Sequence, residues 1–175
     1  MRQLNHAHQY VIPLDPDCPV LLEQLEPGLS AAAKTLREDH SYRRRVDDTA
    51  HRYLADGQCL LHGDFFFGSF LRTTRGVMVI DPEFCYFGDR EYDLGVLIAH
   101  LALARLPIAM ARRLLMQYGD VPLDRPLLVQ YACCEVMRRL IGVAQLPLAE
   151  DTPRAELLLK SREAMLRHDL EKLWN

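Results

Sequence analysis

Apolar and polar positions divide the chain into three stretches of different character. Residues 10–29 carry Pro13, Pro16, Pro19, Pro27 and Gly28, which break any regular period. They predict an irregular entry with one short helical turn at Val20–Leu25. Residues 30–55 have a helical pattern, with Ser30 as N-cap, Gly57 as the stop and a break near His40–Ser41 that splits the stretch in two. The middle is different: Cys59-Leu60-Leu61 and the β-branched run Val77-Met78-Val79-Ile80 read as strands. Phe65-Phe66-Phe67, Gly68 and a turn at Arg75-Gly76 lie between them, so two to four short strands bracket a loop.

After residue 93 the pattern is helical to the end. Leu94–Leu106 is apolar on nearly every side and predicts a buried helix. Ile108–Tyr118 follows Pro107, and Pro126–Ala144 is a long apolar helix with Arg138 and Arg139 embedded. Thr152-Pro153 predicts the cap and first position of a last, amphipathic helix. No internal repeat or low-complexity segment is present. The organisation predicted is an irregular segment over 1–29 and one unit over 30–175, with loops at 59–95 and a helical part at 94–175.

Composition narrows the classes. The 175 residues carry a net charge of −3, with 49% hydrophobic and 26% charged residues, an ordinary soluble composition. A phosphate-backbone binder would carry a basic surplus, so nucleic acid is not the expected partner. Cys18, Cys59, Cys85, Cys133 and Cys134 are odd in number and contain no C-x-x-C pair, which predicts reduced core thiols rather than disulfides or zinc. Met1–Gln9 is polar, with His6 and His8 expected in a mobile tail. Leu94–Leu106 is too short to span a bilayer and is interrupted by His100 and Arg105. The expected location is cytoplasmic, without a membrane partner.

Candidate chemistry lies in two acidic loops, each after a short strand. One is His62-Gly63-Asp64-Phe65-Phe66-Phe67-Gly68-Ser69, the other Asp81-Pro82-Glu83-Phe84. Two like charges about 4 Å apart repel by about 4 kcal/mol at an effective dielectric near 20, and a divalent cation offsets that directly. Mg2+ takes a few carboxylate oxygens together with water and substrate phosphates. Either loop alone reads most simply as a turn; both together, in this order, point to function.

These residues, with Gly88 and Asp93-Leu94-Gly95, resemble the aminoglycoside phosphotransferase and choline kinase superfamily. Within it the pattern is most similar to that of methylthioribose kinases, which share the Ser at 69, the Asp-Pro-Glu-Phe loop and a double arginine like Arg138-Arg139. The resemblance implies an α+β, mainly helical fold: the C-terminal, catalytic lobe of a protein-kinase-like fold, with a few short strands around the catalytic loop. It implies ATP and Mg2+ as cofactors and transfer of the γ-phosphate to a hydroxyl of a sugar-like, aminoglycoside-like or methylthioribose-like small molecule. Asp64 would be the catalytic carboxylate, Asp81, Ser69 and Glu83 the metal ligands, and Arg138 and Arg139 the substrate contacts. His62 would support the loop, and Asp93 would cap the helix beginning at Leu94.

The N-terminal lobe of such an enzyme supplies a phosphate loop and a strand lysine. Here there is no Gly-x-Gly, and Lys34, Lys160 and Lys172 all fall in helical stretches, so that lobe is expected to be absent. Apolar surface left uncovered would then favour a homodimer or a separate partner chain. A non-catalytic lobe acting as a binding module is the alternative reading. A metal-dependent phosphoesterase is weaker still, for want of further His ligands.

Overall fold

The computed structural model describes residues 2–175. It is mainly helical, with four short strands. The N-terminal segment begins with α1 (Arg2–His6), a π-helical turn over Ala7–Val11 and a 3-10 turn over Ile12–Leu14. The irregular entry and mobile histidine tail expected there are therefore corrected over residues 2–14. Gln9, Tyr10 and Leu14 are buried, so these turns are docked on the core. Helix α2 (Leu22–Leu25) is the short turn expected near Val20.

Helix α3 (Leu29–Glu38) begins one residue before Ser30, and its N-cap is Gly28 in the left-handed region at φ 85°. The next helix, α4 (His40–Leu54), is capped by Asp39, whose carboxylate accepts from the Ser41 and Tyr42 N–H groups at 2.8 and 3.0 Å. Asp39 thus supplies the break, and the same carboxylate receives Arg162. Helix α4 stops at Leu54, short of Gly57.

The strands form two separate antiparallel pairs. β1 (Cys59–Leu61) and β4 (Tyr86–Gly88) pair in the register Leu60↔Phe87, and β2 (Phe70–Thr73) and β3 (Gly76–Val79) in the register Leu71↔Met78. Both members of each of these facing pairs are exposed, as are Val77 and Val79. These apolar side chains, on both sides of β3 and on the β1–β4 pair, are left uncovered among the described residues.

Four helices complete the fold: α5 (Glu91–Leu103), α6 (Ile108–Gln117), α7 (Arg125–Ile141) and α8 (Arg154–Arg167). α5 and α7 are buried along nearly their whole length and pack against each other, with α4 and α8 against α7 and α3 against α8. Gly95 permits the close crossing: a Cβ there would lie 2.8 Å from the Tyr131 Cβ. The cap expected from Thr152 is absent. The first N–H groups of α8, at Arg154 and Ala155, donate instead to the Glu26 carboxylate, a partner 128 positions away in the chain.

Candidate active site

The loop carrying Asp64 is fixed from both sides. Tyr92 and Asp93, in the first turn of α5, lie beneath it. Asp93 does not cap its own helix, which begins two residues earlier at Glu91; its carboxylate accepts from the His62 N–H at 2.7 Å and the Gly63 N–H at 3.1 Å. The cap expected of Asp93 is thus corrected to a brace beneath the loop. Burial pushes the Asp93 carboxyl upward, and the two N–H donors only partly offset it. Tyr92 joins a chain of tyrosine rings with Tyr53, Tyr86 and Tyr131 at centroid separations of 5.2–5.7 Å. Its hydroxyl donates to Gln9.

From the other side, the loop is stitched to the segment carrying Asp81. His62 Nε2 donates to the Ile80 carbonyl at 2.7 Å, which leaves Nδ1 facing the Asp64 N–H at 3.4 Å. The Ile80 N–H donates to the Ser69 carbonyl at 3.0 Å. Gly63, at φ 87°, lies so close to the following turn that a Cβ would sit 2.2 Å from the Phe84 carbonyl oxygen. Asp64 and Asp81 are therefore carried on adjoining backbones. Asp81 itself adopts the left-handed region at φ 60°, rare outside Gly, Asn and Asp, and starts a 3-10 turn over Pro82–Phe84.

The Asp64 carboxylate meets the double arginine. One oxygen, Oδ1, accepts from Arg138 at 3.1 Å and from Arg139 at 2.9 Å. Among the described residues the second oxygen has no partner. Behind the arginines stands Glu135, fully buried. It accepts from Arg138 Nε at 2.7 Å, Arg139 Nε at 2.7 Å and His100 Nε2 at 3.0 Å. Burial would push the Glu135 carboxyl upward, but the two guanidiniums and His100 outweigh it and hold it well below the usual range. Phe66 links the loop to this network, with its ring 4.7 Å from His100 and 5.2 Å from the Arg139 guanidinium.

The remaining candidates differ in setting. Ser69 is buried, and its hydroxyl donates to the Asp64 carbonyl at 2.8 Å, which makes it part of the loop's internal bracing. Asp81 and Glu83 are exposed and form no hydrogen bond or ion pair among the described residues. No three His, Cys, Asp or Glu side chains among the described residues form a ready-made metal cluster. Two free hard-oxygen carboxylates are nevertheless a donor set suited to Mg2+, which needs few protein ligands when phosphates and water complete its shell.

The Phosphotransferase enzyme family matches residues 6–128, most of the chain. The chain belongs to that family. Among curated phosphotransferases, the methylthioribose kinase of Exiguobacterium sibiricum is 34% identical over 93 residues, which is 53% of this chain and 24% of that protein. Methylthioribose kinase 1 of Oryza sativa subsp. japonica is 36% identical over 78 residues, 45% of this chain and 18% of its own. The methylthioribose kinase of Pectobacterium atrosepticum is 35% identical over 80 residues, 46% and 20% respectively. The matched segments thus span about a quarter or less of these relatives' length.

Two members of the site, Glu135 and His100, were not picked out in the sequence. The signal was there: each is a polar residue in an otherwise apolar, buried helix, and Glu135 precedes the arginines by three and four positions, on one helical face. A cavity of about 790 Å3, lined by Arg52, Asp89 and Asp124 among others, contains no residue of the 62–69 or 81–84 loops. A smaller one of about 330 Å3 opens beside Phe66 and His100, with Leu103, Leu146 and Leu148 in its wall.

Proposed function

We propose that this chain forms the catalytic lobe of a small-molecule kinase that transfers the γ-phosphate of ATP to a hydroxyl of a sugar-like acceptor. The observation that carries this reading is the Asp64 carboxylate, held through one oxygen by Arg138 and Arg139, with the other oxygen unpartnered among the described residues. An acceptor hydroxyl donating to the open oxygen would be aligned for attack. As the new P–O bond forms and the bond to ADP breaks, the hydroxyl proton passes to Asp64. Two guanidiniums fix the Asp64 carboxylate in place, so its main contribution is orientation, which suits a loose phosphoryl-transfer transition state. Mg2+ held by Asp81, with Glu83 beside it, would neutralise charge on the phosphates. The free carboxylates and the family membership favour this reading over a non-catalytic binding lobe.

The acceptor class follows from charge and shape. Arg138 and Arg139 are balanced by Asp64 and Glu135, so the site offers no surplus of negative charge for a polycationic aminoglycoside and suits a neutral polyol. The adjacent apolar cavity, walled by Phe66, Leu146 and Leu148, would receive an alkyl or thioether substituent. Methylthioribose, the sugar in the relatives' names, has both features.

The exposed apolar side chains of the two strand pairs support a covering partner, either a second copy of the chain or a separate nucleotide-covering unit. Light scattering coupled to size exclusion should show a dimer or a complex, and a clean monomer would count against it. Calorimetry tests the nucleotide site: heat of ATP binding that requires Mg2+ and vanishes in Asp81→Asn supports the kinase reading. Binding indifferent to both sinks it.

A further inference from the structure

Arg138 and Arg139 are consecutive residues of α7, so their side chains leave the helix about 100° apart. Two neighbouring helical arginines do not ordinarily converge on one atom, and two adjacent buried cations repel. Yet both terminal nitrogens reach the same Asp64 oxygen, at 3.1 and 2.9 Å. Glu135 is the group that resolves this. One of its oxygens accepts from Arg138 at 2.9 Å and Arg139 at 2.7 Å, and the other accepts from Arg138 Nε at 2.7 Å. It engages Nε of both guanidiniums and shares the Arg138 Nη2 with Asp64, which leaves the Arg139 Nη2 turned to the loop. His100, donating from the buried helix α5 at 3.0 Å, fixes the Glu135 carboxylate in turn. The four charged groups Asp64, Glu135, Arg138 and Arg139 sum to zero, so the assembly can be buried without a net charge.

We propose that Glu135, seconded by His100, is the positioning residue of this site. It aims the double arginine so that one Asp64 oxygen is occupied and the other is presented to the acceptor hydroxyl. Glu135 touches neither Asp64 nor the reacting atoms, and acts through the guanidiniums alone. The proposal rests on the phosphotransfer reading for its consequence in catalysis, but its geometry can be measured independently.

The test has two arms. In the first, transfer from Mg-ATP to methylthioribose is followed in wild type, Glu135→Gln and Glu135→Asp, per folded molecule as counted by circular dichroism. Misplacement of a reacting group by about 1 Å can cost about a hundredfold. Glu135→Gln should lower kcat by about that factor, with the KM for ATP little changed. Glu135→Asp keeps the charge but withdraws it by one methylene, and should recover part of the loss; it also serves if Glu135→Gln does not fold. Unchanged kcat per folded molecule in either variant would overturn the proposal.

The second arm reads the Nε–Hε NMR resonances of Arg138 and Arg139, protons that point at Glu135. They should stay sharp and slow to exchange in Asp64→Asn and be lost in the Glu135 variants. Their persistence without Glu135, or their loss on removing Asp64 alone, would show that Glu135 does not set the arginines. If wild type transfers no phosphate, the phosphotransfer reading fails, and this arm alone decides the role of Glu135.

Discussion

The two acidic loops of the site are neighbours built in opposite ways. The Asp64 loop is braced by Asp93 beneath it, by His62 and Ser69 within it and by two arginines at its carboxylate. The Asp81 loop is exposed, and neither Asp81 nor Glu83 has a partner among the described residues. Under the roles proposed for Asp64 and Asp81, the difference separates what the chain must preorganise from what it leaves for a ligand. A group that orients a hydroxyl works only if it is already in place, so the fold fixes it. A carboxylate meant for a metal ion keeps its lone pairs free, because a protein partner would have to be displaced first.

Substitutions on the two loops should therefore separate stability from activity. The largest effect is expected from Asp64→Asn: phosphoryl transfer should fall by about 10²–10⁴-fold, as for loss of a catalytic acid–base group, with ATP binding retained in calorimetry. Comparable loss of both would merge the roles of the two loops. Gly63→Ala should come next, because it forces a Cβ into the Phe84 carbonyl at a positive φ; urea unfolding should register a loss of at least about 2 kcal/mol.

The buried carboxylates sharpen the comparison through pH. Glu135 is held below its ordinary value of 4.5, so its stabilisation is complete above that pH and is lost as pH falls through the folded-state value. Asp93 is raised above its ordinary 3.8, so it contributes most below 3.8, and this is lost as pH rises through its folded-state value. Denaturant midpoints from pH 3 to 7 should show a flatter acid limb for Glu135→Gln and a steeper one for Asp93→Asn. Parallel curves for all three proteins would remove the distinction. The smallest effect is expected from Glu83→Gln, within about 0.5 kcal/mol in stability, as for an exposed side chain without partners.

Much of the site's outline was legible because it is written in short segments. A β-branched run ending in Asp-Pro and a Gly-Asp turn after an apolar triplet are local patterns, and β1, β3 and the loops after them occur where the patterns put them. The helices α5, α6 and α7 follow their apolar periods to within a few residues at each end. The errors fall where a partner comes from far along the chain. Thr152 looked like a cap, but Glu26 does that work. Asp93 looked like a cap for its own helix, but its carboxylate braces a loop some thirty positions earlier. The polar start of the chain looked like a tail, yet Gln9 and Tyr10 are buried against the tyrosine rings.

What the amino-acid sequence determined alone was most elements beyond the first turns and the chemical identity of the loops, because helical period, β-branching and turn chemistry act over a few residues. Tertiary structure decided which charges meet. Glu135, Arg138, Arg139 and His100 share two buried helices, and only their packing brings the arginines to Asp64. In a dry interior a charge has to find its counterpart wherever the fold supplies one, and no local rule names that counterpart.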